Sequence, residues 1–299
     1  MSPRVSIIVP NYNHTRYLPD RLLSIEQQTF QDFEIILLDD CSTDNSRDII
    51  LNYASNPKVS QCILNEKNSG SPFIQWVRGI SLAQGEWIWI AESDDLADPM
   101  FLQSMLEATE KNPSVGLAYC HLRWIDSQGN LISEDDSNRS LTHFYTGSDF
   151  TLQKLLYTTT IFNVSSCVFK REVLQKIDFT ALTTMKCSGD YWLYVQLSQF
   201  TDVLEIGDIL SSFRRHESST SKQLTKVGVS CIEDLYVLDF ICNKYSVSQI
   251  QYSKSWARIL ASYKLPWRIQ LNIWKRYFKR HCLIVFWSVL YRFSAHLKG

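Results

Sequence analysis

The chain has 299 residues, 45% of them hydrophobic and 13% aromatic, with a net charge of −1. That is enough apolar material for one large α/β domain, alone or with a helical appendage, and it excludes a disordered, low-complexity or repeat protein. Eight cysteines stand singly with no C-x-x-C pair, which excludes zinc-site spacing and points to reduced thiols.

Residues 1–4 run straight into a strand-like segment, with no basic region followed by an apolar stretch, so no signal peptide is read and the expected location is cytoplasmic. Residues 5–10 (VSIIVP) form a β-branched apolar run ended by proline, the pattern of a buried parallel strand. Residues 17–28 show helical spacing of Leu18, Leu22, Leu23 and Ile25. Strands are expected at 33–40, 59–64 and 87–91, and helices from about 42 to 53, at 72–83 and at 99–110. Beyond these, 117–125, 165–169 and 203–213 read as strands and 190–199 as a helix. From 224 onward aromatic-rich helices are expected, with a break at Pro266.

Strands alternating with helices imply βαβ units and a mostly parallel sheet, whose ligands bind beyond the carboxyl ends of the strands. Asn11, Tyr12 and Asn13 follow the first strand, Asp39 and Asp40 the second, and Glu92, Asp94 and Asp95 the fourth. Independent segments thereby send acidic groups to one crevice. Clustered carboxylates repel and persist best beside a cation, and hard oxygen ligands suit Mg²⁺ or Mn²⁺, which in turn hold a diphosphate. The alternative for the 92–95 run is a solvated turn that caps the next helix, and this segment alone does not choose between them. For Asp39 and Asp40 the alternative is also a capping turn, although Ser42 and Asp44 are better placed to cap.

VSIIVPNYN at 5–13, FEIILLDDCSTDN at 33–45, N-x-G at 68–70 and QGEWIWIAESDD at 84–95 together resemble the family 2 inverting glycosyltransferases of the GT-A fold. Order and spacing agree over the first hundred residues, and the likeness continues more weakly to about 221. The resemblance implies a Rossmann-like α/β domain over 1–221 and leaves 222–299 as a basic helical region. It implies a nucleoside-diphosphate-sugar donor, an acceptor hydroxyl, and a divalent metal. Pro10 and Asn11 would line the base and ribose pocket. Asp40 would hydrogen-bond the nucleobase with Asp39 supporting it. Asp94 would face the ribose or metal, and Asp95 would be the main metal ligand. Glu92 stands where the family more often has Asp. The family's A-R-N before G-I is replaced here by Gln75, Trp76, Val77 and Arg78.

Asp190, after Cys187-Ser-Gly189, resembles the aspartate of the family's E-D-x-x-L segment, the general base, with Gly189 in place of Glu. Its alternative is a helix N-cap. Residues 214–219 resemble an R-x-H-x-x-S segment, in which His216 would complete the metal shell or touch the diphosphate. Arg214 or Arg215 would neutralise phosphate, and a Ser/Thr-rich lid would follow. A solvated basic loop is the alternative. His14, His121, His143 and His281 have no partner at ligand spacing and are read as ordinary structural histidines. The Trp residues of the fourth strand are read as core.

After Asp239 the chain has no Asp or Glu, and residues 241–299 carry eleven Lys and Arg, leaving −12 on the first 240. An uncharged run at 282–291 is too short to span a bilayer, which needs about 20 apolar residues. Mixed cations and aromatics at 265–280 fit a helix lying on an anionic membrane surface, which would suit a lipid-linked glycan acceptor. The alternative is a helical hairpin packed on the domain. A nucleic-acid partner is not expected, because no binding motif is present. Two other functions fit the same layout. A sugar nucleotidyltransferase would carry a glycine-rich basic loop after the first strand, and 11–15 (NYNHT) lacks it. A degenerate binding or scaffold protein would be marked by loss of Asp95 or Asp190, and both are present.

Overall fold

The computed structural model describes residues 2–135, 141–216, 225, 228–263, 265–266, 268–269 and 273. The chain divides into two compact units. Unit 1 comprises 1–147, 161–184 and 196–216, and unit 2 comprises 148–160, 185–195 and 217–299. Two segments before residue 216, 148–160 and 185–195, also belong to unit 2.

Unit 1 is built on a ten-stranded sheet. Its first half follows the βαβ reading: β1 (Val5–Asn11), α1 (Leu18–Glu26), β2 (Phe33–Asp39), α2 (Ser46–Tyr53), β3 (Val59–Leu64), α3 (Pro72–Leu82) and β4 (Trp87–Ile90). β1 pairs in parallel with β2 and β4, and β2 with β3, so β1 lies at the centre of this half. All seven residues of both β1 and β2 are buried, as a parallel sheet covered on both faces requires.

The second half is mixed. It contains β5 (Leu96–Ala97), α4 (Phe101–Glu110), β6 (Val115–Ile125), β7 (Leu131–Glu134), β8 (Thr142–Tyr145), β9 (Cys167–Lys170) and β10 (Asp202–Arg214). β9 lies antiparallel between β4 and β6, β10 runs parallel to β6, and the short β5, β7 and β8 add antiparallel edges. The sequence reading missed β5, β7 and β8. β7 and β8 are four residues each and largely exposed, so they carry no clean apolar alternation.

Trp87 and Trp89 are core residues, 3% and 0% exposed, and Trp89 packs on Phe101 with ring centroids 4.7 Å apart. α3 sits close to β1 because Gly79 has no side chain. A Cβ there would lie 2.4 Å from Ile8 Cγ2.

In unit 2, helices Val229–Lys244 and Gln249–Ser262 are joined by a short turn, and Ser248 with Gln251 forms a capping box at the start of the second. The second helix ends before Pro266. Trp192 stacks near Tyr236 and Phe240, and the Tyr191 hydroxyl donates to Leu155 O. No helix among the described residues is long and apolar enough to cross a membrane. The 218–221 lid, the 282–291 run, His281 and most of 265–280 lie outside the described residues.

Gly79→Ala forces a methyl into the α3–β1 contact, and overpacking of this kind costs about 1–3 kcal/mol. Urea unfolding is expected to show a lower midpoint at unchanged slope.

Candidate functional site

Each loop at the carboxyl edge of β1, β2 and β4 is fixed to its neighbour by polar side chains. Asn13 and Cys41 both adopt left-handed backbone, φ 57° and 64°, which turns the chain sharply after β1 and β2. Asn13 Oδ1 accepts the Thr43 N–H at 2.7 Å, and Ser42 Oγ accepts from Asn13 N at 2.9 Å and from Asn11 Nδ2 at 3.1 Å. Ser42 therefore bridges loops instead of capping α2. Asp44 Oδ1 does accept the Ser46 N–H at 2.9 Å, and its other oxygen accepts from Thr15 N at 2.9 Å.

Asp39 is fully buried and accepts from Asn11 Nδ2 at 3.0 Å and Ser42 N at 2.9 Å. Asp40 is 5% exposed and organises the next wall. It accepts from Asn65 Nδ2 (2.8 Å), Ser69 N (2.9 Å), Ser69 Oγ (2.7 Å) and Gln75 Nε2 (2.9 Å). Around it, two buried oxygens have no partner: Asn11 Oδ1 and Gln75 Oε1. Pro10 is a buried residue of β1, paired with Leu38.

After β4 a turn, closed by Asp95 N–H to Glu92 O at 3.3 Å, sends neighbouring carboxylates in different directions. Asp95 turns inward. It is 1% exposed and accepts from Asn163 Nδ2 (2.6 Å), Ser165 Oγ (2.8 Å) and Arg214 N (3.0 Å). Burial and the charge of Asp94 push its carboxyl up to about 6. Glu92 accepts from Trp76 Nε1 at 2.6 Å, and burial with Asp94 repulsion raises it to about 8.

Asp94 turns toward two imidazoles. Its Oδ2 lies 2.9 Å from His216 Nε2 and 4.0 Å from His14 Nε2, while His14 Nδ1 is 2.8 Å from Ser93 Oγ. Burial opposes the Asp94 charge, but the His216 hydrogen bond and both imidazoles outweigh it and hold the carboxyl below its ordinary range. One ligand atom each from His14, Asp94 and His216 lies within 4.8 Å of the others. Among the described residues, this is the group spaced to hold a metal ion. The set expected from the sequence, Asp95 with Glu92 and His216, is not brought together: Asp95 is spent on inward donors and Glu92 on Trp76. His14, expected to be an ordinary structural histidine, joins the group because the loop after β1 folds against Ser93. Two nitrogens and a carboxylate oxygen suit a divalent transition ion, and Mn²⁺ better than Mg²⁺, which prefers all-oxygen shells.

Arg21 is the side chain that sequence reasoning missed most. It is 0% exposed in α1, donates Nε–H to Glu92 O at 2.8 Å, and packs its guanidinium 5.4 Å from the centre of the Trp89 ring. Burial lowers it to about 10, while Asp95, Asp94 and Glu92 act to keep it charged. Its signal was present: Arg21 shares an apolar helix face with Leu18, Leu22 and Ile25. Arg214 is also buried, with Nε–H to Asp94 O at 2.7 Å and the guanidinium 4.9 Å from the centre of the Tyr17 ring, so it braces the acidic turn. Arg215 is exposed over Trp124. Arg78 is exposed and donates to Asn65.

In unit 2, Asp190 is the second residue of helix Gly189–Leu197, with Tyr191 N–H 2.7 Å from Oδ1. It is partly exposed. Burial first, then repulsion from Asp234 and Glu233, raises its carboxyl to about 7.

The family described as Glycosyl transferase family 2 matches residues 6–178. Glycosyltransferase GlyG of Streptococcus pneumoniae is 33% identical over 156 residues, 52% of this chain and 48% of that protein. Poly(ribitol-phosphate) beta-N-acetylglucosaminyltransferase TarS of Staphylococcus aureus is 38% identical over 96 residues, 31% of this chain and 16% of that one. This chain thus spans about half the length of the first relative and less of the second. The structure of TarS residues 1–349 with UDP-GlcNAc superposes with a TM-score of 0.66 at 19% identity, covering 87% of this chain and 72% of that one. A mannosyltransferase from Pyrobaculum calidifontis with GDP-Man and Mn²⁺ gives 0.61 at 15% identity, covering 97% and 84%. These neighbours show the GT-A fold.

Arg21→Met keeps volume but removes one of the two buried guanidinium groups beside the acidic turn, a change that costs roughly 3–5 kcal/mol. Denaturant unfolding is expected to show that loss, and a change under about 1 kcal/mol would contradict the charge-compensating role.

Proposed function

We propose that this chain, which belongs to glycosyl transferase family 2, moves a sugar from a nucleoside-diphosphate-sugar donor to a hydroxyl of a glycan or lipid-linked glycan acceptor. Transfer proceeds with inversion and with a divalent metal. The observation that carries this reading is the His14–Asp94–His216 group at the carboxyl edge of the sheet, in the same unit as two unpartnered buried oxygens around Asp40. The ligands of the structural neighbours, UDP-GlcNAc and GDP-Man with Mn²⁺, support the donor class. The name of TarS, a poly(ribitol-phosphate) beta-N-acetylglucosaminyltransferase, supports a polymer as acceptor, in keeping with a role in cell-surface polysaccharide synthesis.

In this reading, Asn11 Oδ1 and Gln75 Oε1 accept N–H groups of the nucleobase, and Pro10 lines the base and ribose pocket. Asp39 holds Asn11 in place, and Asp40 holds the 65–75 wall through which it shapes the pocket. His14, Asp94 and His216 hold the metal, which when bound neutralises charge on the departing nucleoside diphosphate. Asp95 and Glu92 act one step back, fixing the turn that aims Asp94. Asp190 accepts the acceptor hydroxyl's proton as that oxygen bonds to the anomeric carbon and the bond to the diphosphate oxygen breaks. A carboxyl near 7 suits that task, because it binds a proton firmly while remaining ionised in good part at neutral pH. The basic C-terminal stretch is proposed to meet an anionic membrane surface from the cytoplasmic side, where a lipid-linked acceptor would be presented.

Titration calorimetry with UDP, GDP and dTDP, with and without Mn²⁺, tests the donor site. One nucleotide is expected to bind in a metal-dependent way. Asp94→Asn should abolish the metal dependence, and His14→Ala should weaken binding by roughly tenfold or more. No nucleotide binding in any condition would sink the transferase reading and leave a scaffold.

Asp190→Asn is expected to keep donor affinity while lowering kcat by roughly a hundredfold or more. In the unaltered chain, kcat should rise with pH through about 7, since the base works only when deprotonated. A flat profile through neutrality would contradict the assignment.

A further inference from the structure

Unit 2 contains a carboxylate whose hydrogen bonds converge on one backbone segment. Glu233, in helix Val229–Lys244, accepts the Lys186 N–H on Oε1 at 2.8 Å. Its Oε2 accepts those of Cys187 and Ser188 at 2.9 and 2.8 Å. Three successive N–H groups closing on one anion form a nest, and charge-assisted bonds of this kind are roughly twice as strong as neutral ones. The clamped segment ends two residues before Asp190. The next residue of the same helix adds a second tie: Asp234 accepts from Ser188 Oγ at 2.6 Å and from the Tyr263 hydroxyl at 2.6 Å. The Tyr263 contact anchors Asp234 to the end of helix Gln249–Ser262.

This arrangement has a counterpart in the sequence. The E-D-x-x-L pattern carries a glutamate immediately before its aspartate, and this chain has Gly189 there. The negative charge missing at 189 is present nearby, supplied from 44 and 45 residues further along the chain. We propose that Glu233 and Asp234 are positioning residues for Asp190: Glu233 fixes the backbone from which the Asp190 helix starts, and Asp234 ties Ser188 of that same segment to Tyr263. This rests on the reading of Asp190 as the base.

Among the described residues, the titratable groups that act on Asp190 or feel its charge are Asp234 and Glu233 from the one helix and the Cys187 thiol from the clamped segment. Both carboxylates push the Asp190 carboxyl upward by repulsion, adding to burial. Removing either charge should therefore let Asp190 ionise at lower pH and make it a weaker base.

The test is the pH dependence of kcat for the full chain with the nucleotide sugar whose nucleotide binds in calorimetry. Glu233→Gln removes the charge and part of the nest. It is expected to lower kcat roughly tenfold, a fraction of what a general base supplies, with the donor KM unchanged and the acid limb displaced to lower pH. Glu233→Asp should recover part of the loss. Asp234→Asn keeps polar partners for Ser188 and Tyr263 and serves as the second variant if Glu233→Gln does not fold; its acid limb should move the same way. A structural role alone would lower thermal stability and leave the limb in place. If Asp190→Asn is inactive while both charge-removing variants keep the limb unmoved, the positioning role is overturned and the base survives. If Asp190→Asn retains kcat, the base reading falls, and the positioning role with it.

Discussion

Glu92, Asp94 and Asp95 stand within four residues at the end of a strand whose own residues are buried, and their mutual repulsion has to be met by neighbouring groups. The rest of unit 1 is arranged around that requirement. α1 supplies Arg21, β10 supplies Arg214, α3 supplies Trp76, and the segment before β9 supplies Asn163 and Ser165. Each is a donor or a cation delivered by a different element. The acidic turn is therefore also the place where those elements are locked to one another.

That locking explains how neighbouring carboxylates acquire different properties. Asp95, enclosed by donors yet buried beside another charge, is raised; Asp94, facing His216 and His14, is lowered. Pairs of carboxyl groups pushed apart in this way divide their tasks: one remains an anion available to a cation, and the other serves as internal structure. The same economy holds at the adjoining loops. Asp40 spends its oxygens on Asn65, Ser69 and Gln75 and thereby shapes a wall, while the neighbouring amide oxygens of Asn11 and Gln75 have no hydrogen-bond partner.

In unit 2 the carboxylates are fewer and are matched by backbone N–H groups and hydroxyls. Glu233 sits in a nest and Asp234 between two hydroxyls. Both carboxylates repel Asp190, whereas in unit 1 the Arg21 guanidinium attracts the carboxylates around it. The opposite handling of similar residues gives one set suited to binding a cation and another suited to receiving a proton.

The sequence by itself determined the strand and helix positions of residues 5–90, because buried parallel strands are short apolar runs and amphipathic helices carry a 3.6-residue period. It also located the acidic loops and Asp190, since these lie in short contiguous motifs. Strand order, the antiparallel β5, β7 and β8, and the partition of 148–160 and 185–195 into unit 2 were decided by contacts between distant residues, such as Tyr191 with Leu155. Tertiary structure alone also decided which carboxylate faces outward. Asp94 and Asp95 are adjacent in the chain, and only the turn at 92–95 and the donors at 163, 165 and 214 separate them. His14 joined the site, and Glu233 the surroundings of Asp190, for the same physical reason: a side chain's electrostatic partners are set by distance in space, and these lie 80 and 43 residues away along the chain.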